Sequence, residues 1–376
     1  MTACLFGTYD RGHSANRLLV QALAGAGFAI EELHEPLWEQ ARHKDARYFG
    51  GRSLAGLARR WARAASRLSR AWRARRGGAA PLVVVGFGGQ LDVLLAARVC
   101  RPRRALIFAP LVSLTETLVE DRRRFPAGGP RARGVAALDR ATLRAADLVL
   151  ADTAAHAAYL RELGGPRVRV VAWHFGVEPE FVAPVTRAVS PRRVLFTGRF
   201  LPLHGVETIL AAAARLGDRA RVVLLGGGPE RRRMEALAAR LGAPVTWRDE
   251  VPLAALPGEL AEAAVTLGVF GAGRKAAMVV PNKVYQAAAV GRPLVTRDGP
   301  ALREVLEPDV QCLACPPGDA EALAAAVLRL LDDPALAARL GAAARAHVLD
   351  RFGAAAVAAR LGALLATGLG VRPEAA

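Results

Sequence analysis

Short runs of apolar residues recur along the chain. Each is followed by a loop bearing glycine, serine or aspartate, and then by a longer segment with apolar side chains three or four positions apart. The first run is Ala3-Cys-Leu-Phe-Gly-Thr8, followed by a polar loop at 9–14 and a helical pattern over 15–26 that ends at Gly27. Similar runs at 81–87, 105–108, 147–151 and 167–172 predict strands, with helices after the pair Gly88-Gly89 and from Thr153. Apolar runs without polar alternation mark strands covered on both faces. Their alternation with helices predicts a parallel, doubly wound α/β sheet.

The stretch 182–191 carries two prolines and no clear period, and the alternation then restarts. Strands are predicted at 193–197, 220–225, 244–247, 265–269, 293–296 and 311–315. Helices are predicted at 205–216, 230–241, 256–263, 281–290, 300–306 and 319–332, with a final alanine-leucine helix at 354–367 and a loose tail from Gly368. The expectation is two Rossmann-like domains, 1–185 and 186–353. A length of 376 residues accommodates two such cores.

Composition sharpens this picture in three ways. Hydrophobic residues make up 52% and charged residues 23%, which excludes a disordered chain. The four cysteines are too few for a disulfide framework; Cys312 and Cys315 have Cys-x-x-Cys spacing but lack two further ligands for zinc, and they read as small apolar strand residues. The opening residues lack a basic leader, and the most apolar long window, 77–97, is broken by Pro81, Gly88-Gly89 and Asp92, so it fails as a span. A cytoplasmic protein is expected.

The net charge of +18 rests almost wholly on arginine, since only Lys44, Lys275 and Lys283 are lysines, as in proteins from a GC-rich genome. It is uneven: residues 1–185 hold 28 basic against 16 acidic side chains, net +12, and the remainder 24 against 18, net +6. Between Arg42 and Arg76 twelve cations face the single acid Asp45. Leu54, Leu57, Trp61, Ala65, Leu68 and Trp72 fall at helical steps, which predicts an amphipathic helix over 53–74 with a cationic face. That face is either plain solvated surface or a surface for adsorption to an anionic membrane. Nucleic acid is not an expected partner, because no helix-turn-helix, zinc module or aromatic-studded strand accompanies the charge.

Candidate chemistry concentrates in the second half. Leu195-Phe-Thr-Gly198-Arg199-Phe-Leu-Pro-Leu-His204-Gly205 sets glycines at a strand end and a helix start, where backbone amides and the cations Arg199 and His204 suit a phosphate. Gly226-Gly-Gly228-Pro229 repeats the strand–turn–helix geometry, where a flat base could pack on backbone. Pro281-Asn-Lys283-Val-Tyr-Gln286 opens another helix, with Lys283 and Gln286 one turn apart on one face, suiting a diphosphate and a ribose. In the first half Asp10, Arg11, His13 and Arg17 follow a strand, as do Glu116, Asp121 and Arg122, where open α/β sheets bind ligands.

With Pro281-x-Lys283…Gly291-x-Pro293-Leu-Val-Thr296, Glu304 and Pro316-Pro-Gly-Asp319, these motifs resemble the family 4 retaining glycosyltransferases of the GT-B fold. The first half matches more loosely through Phe6-Gly-Thr-Tyr-Asp10, Ala109-Pro-Leu-Val-Ser113, Ala146-Asp147 to Thr153 and Phe175-Gly-Val177. The resemblance implies two Rossmann-like domains facing across a cleft, with the helix 354–368 crossing back to the first. It implies transfer of a sugar from a nucleoside diphosphate donor in the C-terminal domain to an acceptor in the N-terminal one. Arg199, His204 and Lys283 would hold the diphosphate, with Gly198 in the same loop. Gly226, Gly228 and Pro229 would lie near the base, Gln286 near the ribose, and Gly271 and Glu304 also at the donor. Asp10, Arg11, His13, Arg17, Glu116 and Asp121 would line the acceptor side. No metal or cofactor is implied, and no Asp-x-Asp motif occurs.

Three departures from the family accompany the match. His204 stands where lysine is common, Met278 and Gln286 replace the usual glutamate pair, and Ala109-Pro110 stands where the first domain often has a histidine. Among the other histidines, His156 reads as a helix-face residue, His347 as surface and His174 as a cleft candidate. The expected function is a retaining glycosyltransferase, peripheral at the inner membrane face, that elongates a surface polysaccharide or glycolipid. The alternatives are transfer to a small soluble metabolite, or a degenerate homologue that binds nucleotide sugar without turnover; a GT-B epimerase lacks an acidic constellation for proton transfer.

Overall fold

The structure, a computed structural model, describes residues 1–37, 51–75, 81–100, 103 and 105–372. Arg42, Lys44, Asp45, Arg47 and Arg76 of the cationic run lie outside the described residues. The chain divides into two compact units, residues 1–175 with 354–376, and residues 176–353. The expected boundary at 185/186 falls ten residues later, because Val177 and Phe181 are buried in the second unit's core and the Val177 amide bonds the Phe352 carbonyl at 2.9 Å.

The first unit comprises β1 (Thr2–Gly7), α1 (Ser14–Gly25), β2 (Ala29–His34), α2 (Gly51–Ala74), β3 (Leu82–Val85), α3 (Gln90–Val99), β4 (Ala105–Phe108), α4 (Pro130–Ala145), β5 (Leu148–Ala151), α5 (Ala154–Gly164) and β6 (Val170–Ala172). All six strands are parallel in the order β2-β1-β3-β4-β5-β6. Successive strand residues face opposite layers: Ala3 and Leu5 pack with α1, while Cys4 and Phe6 pack with Leu68 and Trp72 of α2.

Two of these elements carry no apolar run or stripe. Strand β2 holds Glu31 and Glu32 at the sheet edge, where charge deters further pairing. Helix α4 buries Asp139 and Thr142 beside Ala132 and Leu143, so hydrogen bonding does what apolar side chains do elsewhere.

The second unit comprises β7 (Arg193–Thr197), α6 (Val206–Leu216), β8 (Arg221–Leu225), α7 (Arg231–Leu241), β9 (Val245–Arg248), α8 (Leu256–Ala261), β10 (Val265–Leu267), α9 (Arg274–Met278), α10 (Asn282–Val290), β11 (Leu294–Arg297), α11 (Pro300–Arg303), β12 (Leu313–Cys315), α12 (Ala320–Asp332) and α13 (Pro334–Phe352). Its parallel sheet runs β12-β11-β10-β7-β8-β9, so strand order reverses between β7 and β10. Val194 and Phe196 enter one core layer and Leu195 the other. Cys312 and Cys315 likewise lie in opposite layers as free, buried thiols.

Helix α14 (Ala354–Leu369) returns to the first unit and packs on α1, with Val357, Leu361 and Leu365 buried. The Trp173 indole donates to the Val357 carbonyl at 3.2 Å. By length and apolar content the stretch 334–369 could cross a membrane. Six of its larger apolar side chains lie in protein cores, Leu340, Val348 and Phe352 in one unit and Val357, Leu361 and Leu365 in the other.

The segment after β4 is held unusually. Leu111 (φ 61°) and Arg123 (φ 47°) adopt left-handed backbone without being glycine, and between them Glu116–Asp121 form a π-helical turn. Asp139 accepts from the Leu114 and Thr115 amides at 3.0 and 2.7 Å. Glu116, expected at an open ligand face, is instead fully buried, and so is His156, expected on a helix surface. The His156 ring lies 2.9 Å from Glu116 and 2.6 Å from Asp152 through its two nitrogens. Burial opposes charge on the ring, but the two carboxylates outweigh it and hold its pKa up at about 10.

This bridge makes stability depend on pH. The folded pKa exceeds the ordinary 6.5, so the contribution is complete below about 6.5 and disappears as pH rises through about 10. The denaturation midpoint should fall between pH 7 and 10 in the natural protein and change less over that window in His156→Gln. His156→Ala, which leaves two buried acids facing one another, should cost roughly 3–5 kcal/mol at pH 7 by urea titration.

Candidate functional site

A doubly wound sheet binds ligands beyond the carboxyl ends of its strands where strand order reverses. In the second unit this point is flanked by the loops after β7 and β10. The loop after β7 lies backbone to backbone on the loop after β8: the Gly198 amide bonds the Leu225 carbonyl at 2.9 Å, and the Phe200 amide bonds the Gly227 carbonyl at 3.0 Å. Only glycine permits this approach. At Gly226 (φ 138°) a Cβ would stand 2.0 Å from the Gly198 carbonyl oxygen, and at Gly228 (φ 146°) it would stand 2.8 Å from the Phe200 amide nitrogen.

The same loop is laced to the one after β10. His204 ends a 3₁₀ turn, and its carbonyl takes the Phe270 amide at 2.9 Å. At Gly205 (φ 62°) a Cβ would meet the Phe270 carbonyl carbon at 2.4 Å, and at Gly271 one would meet the Leu203 carbonyl oxygen at 2.5 Å. The buried Arg297 side chain donates to the Gly271 carbonyl at 3.0 Å and fixes the far side of that loop.

Helix α10 brings in the third component. Pro281 serves as its N-cap, and Lys283 in the first turn extends over the Phe196 ring, with Nζ 3.9 Å from the ring centroid. The place a side chain would occupy at Gly198 lies 2.8 Å from Lys283 Nζ and 3.3 Å from His204 Cε1, so the ammonium and the imidazole converge on that glycine. Lys283 Nζ is buried without a hydrogen-bond partner. Burial drives its pKa well below the usual lysine range. Burial also drives His204 well below its ordinary value, reinforced by the Lys283 and Arg199 charges and partly offset by a hydrogen bond to the Arg199 backbone. Such a cluster, short of negative charge at a helix N-terminus, is matched by an anion.

Of the sequence-derived donor residues, Gly198, Arg199, His204, Gly226, Gly228, Gly271 and Lys283 are therefore brought to one place. Pro229 is exposed beside Gly228, ahead of α7, and Glu304 is the C-cap of α11. Met278 is buried at the end of α9. Gln286 is not open to solvent: it is buried, and its Nε2 donates to Glu178 Oε2. Glu178 gave no sequence signal, because 108 residues separate the two partners.

In the first unit strand order reverses between β1 and β3. Asp10, Arg11 and His13 lie in the loop after β1, and Arg17 is half-buried on α1. The Asp10 carboxylate accepts the Gly12 amide at 3.0 Å, Arg11 pairs with Glu32, and His13 caps α1 by accepting from the Ala15 amide at 3.2 Å while its ring lies 4.2 Å from that of Phe87. Asp121 ends the π-helical turn, apart from buried Glu116. Asn16 and Asp92 were not singled out by their sequence context. Asn16 clasps the loop after β3 through the Phe87 amide at 2.8 Å, and Asp92 accepts from Thr8 and from the Trp61 indole at 2.9 Å, tying α2 to the end of β1.

Residues 191–333 match the family model of the glycosyl transferases group 1. The lipopolysaccharide core biosynthesis glycosyltransferase LpsD of Rhizobium meliloti (strain 1021) is 29% identical over 214 residues, 54% of this chain and 58% of that protein. The chain spans about two fifths to three fifths of the length of the curated relatives it matches. Among solved structures, sucrose-phosphate synthase from Thermosynechococcus elongatus superposes with a TM-score of 0.74 at 21% identity, over 97% of this chain and 98% of that one. HepE of Anabaena in complex with UDP-glucose gives 0.71 at 14%, over 98% of this chain and 100% of that one. The fold is that of the GT-B glycosyltransferases.

The glycine contacts make a graded series. Gly205→Ala and Gly226→Ala, each forcing a Cβ into backbone as well as a left-handed φ, should each destabilise the second unit by roughly 1–3 kcal/mol or more. Gly217→Ala has φ 52° but open space around the added carbon, and should cost less than either. Thermal denaturation of the three variants checks the order.

Proposed function

We propose that the chain is a GT-B glycosyltransferase that moves a sugar from a nucleoside diphosphate donor, held at the β7/β10 switch point, to a membrane-associated glycan or glycolipid. The observation that carries this reading is the buried, partnerless ammonium of Lys283, converging with His204 on Gly198. A diphosphate supplies the charge this cluster lacks. As the bond from the anomeric carbon to the diphosphate oxygen breaks, negative charge builds on the leaving group and Arg199, His204 and Lys283 stabilise it in place. The acceptor hydroxyl oxygen forms the new bond to the anomeric carbon and its proton passes to the departing diphosphate, with retention of anomeric configuration. The stabilising charge comes from side chains, so turnover is expected to survive a chelator. The UDP-glucose complex of HepE and the match over 191–333 support the donor class.

The membrane-linked acceptor is supported by α2 and by the role in LpsD's name. The apolar face of α2 is spent on the first unit's core, leaving Arg63, Arg70 and Arg73 exposed without a partner among the described residues. Alanines and Ser66 lie between them, so adsorption would be electrostatic, at about 1 kcal/mol per arginine. Vesicles containing phosphatidylglycerol should sediment with the protein at low salt, and not at 0.5 M salt (about a 4 Å screening length) or after Arg63, Arg70 and Arg73 are changed to glutamate.

Lys283 separates stability from binding. Lys283→Met replaces a buried, partnerless amine with an apolar side chain, so the unliganded variant should melt no lower than the natural protein. The natural protein should gain ~2.7 kcal/mol from a nucleoside diphosphate at 100 times its Kd. The variant should bind about ten- to hundredfold more weakly, the loss of roughly 1.5–3 kcal/mol expected for a charged hydrogen bond. Because Lys283 and His204 lie below their ordinary pKa values without ligand and a diphosphate raises them, binding takes up protons and weakens as pH rises. Calorimetry near pH 8 in two buffers of different ionisation enthalpy measures that uptake. Failure of every nucleoside diphosphate to bind would end the donor reading, and binding without any glycosyl transfer would leave a non-catalytic homologue.

A further inference from the structure

We infer that Glu178 reads the ribose hydroxyls of the nucleoside diphosphate, supplying from the chain after β6 a carboxylate that α10 lacks. The inference rests on the donor site proposed above. Glu178 opens the 3₁₀ turn Pro179–Phe181 and is only 2% exposed. One carboxylate oxygen, Oε2, accepts from Gln286 Nε2, while the other, Oε1, is buried and accepts nothing. Two other buried acids in this chain use both oxygens. Asp92 takes Thr8 on one and Trp61 on the other, and Asp139 takes Leu114 on one and Thr115 on the other. An ionised oxygen stripped of water with no donor in return is costly, which marks a place where a ligand's donor completes the shell.

Position on α10 says what kind of donor. Gln286 is three residues beyond Lys283, on the same face of the helix. That face therefore carries a partnerless cation at its first turn and, about one turn (5.4 Å) further on, a carboxamide holding a half-satisfied carboxylate. A matching ligand has an anion at one end and hydroxyl donors at the other, the order found in a nucleoside diphosphate from its phosphates to its ribose. Vicinal hydroxyls donate to a carboxylate oxygen. Gln286 cannot accept through the amide nitrogen it gives to Glu178, so it serves as the positioning residue for Glu178.

The test is calorimetric binding of UDP, GDP and ADP, each against its 2′,3′-dideoxy counterpart, with inorganic pyrophosphate as a probe of the anion subsite alone. The natural protein should prefer the ribonucleotide it binds at least tenfold over the dideoxy form. Glu178→Gln, which keeps the shape, and Glu178→Ala should bring that preference below about threefold while leaving pyrophosphate affinity within twofold. A natural protein indifferent to the ribose hydroxyls, or a preference that survives both substitutions, overturns the role of Glu178 and leaves the donor site standing. Loss of pyrophosphate binding in both variants also overturns it, because Glu178 would then act on the whole site. If no nucleoside diphosphate binds the natural protein, this inference and the donor reading fall together.

Discussion

Lys283 Nζ is buried with no hydrogen-bond partner, and burial disfavours its charged form until an anion arrives. Removing an ammonium from water costs several kcal/mol even after relaxation. The Phe196 ring beneath the ammonium offsets a little of this, and the core of Val194, Phe196, Ile209, Leu210, Val222 and Leu224 carries the remainder. The same burial has a second effect. With no competing partner and little solvent, the amine is already oriented toward Gly198 before any ligand arrives, and once an anion draws a proton onto it its field there is strong, the condition under which electrostatic stabilisation of a leaving group is most effective.

Buried charge serves structure in the first unit. In the first, His156 sits between Glu116 and Asp152, Asp139 receives amides from Leu114 and Thr115, and Asp92 receives Thr8 and Trp61. Their work is structural. Asp92 ties α2 to the end of β1, while Asp139 and the Glu116–His156 pair hold a segment containing a π-helical turn and two left-handed non-glycine residues against the strain of its own backbone. In the second unit Lys283 Nζ and one oxygen of Glu178 have no hydrogen-bond partner. Perturbed groups and single buried polar atoms without a partner occur in both units, so neither by itself locates a site; what distinguishes the second unit is that such an amine stands at the glycine loops where strand order reverses.

What could be read from the chain follows the same physical division. Buried parallel strands leave continuous apolar runs, and backbone contact at a switch point demands glycine, so the sheets and the loops around Gly198, Gly205, Gly226 and Gly271 were legible. Edge strand β2, with its glutamates, and α4, whose buried face is partly polar, leave no periodic signal. Helix α13 was missed although Asp333 caps it and Pro334 opens it, because its apolar positions are diluted by alanine. Pairings such as Glu116–His156 and Glu178–Gln286 join residues 40 and 108 positions apart, and a single sequence carries no trace of them.

His204 and Gln286 bear on one electrostatic balance around Lys283. An imidazole at position 204 with a lowered pKa contributes less positive potential to the anion site than a lysine would. Gln286, on the same face of α10 as Lys283, is neutral and adds no negative potential there. Glu178, from the chain after β6, is held by Gln286, which lies about one helical turn from Lys283 along α10, so among the described residues the neutral carboxamide rather than the ammonium takes that acid's one protein hydrogen bond. Direct pairing of Glu178 with Lys283 would satisfy both groups and abolish the site; the separation through Gln286 keeps the cation available to an anion and the carboxylate oxygen available to a hydroxyl.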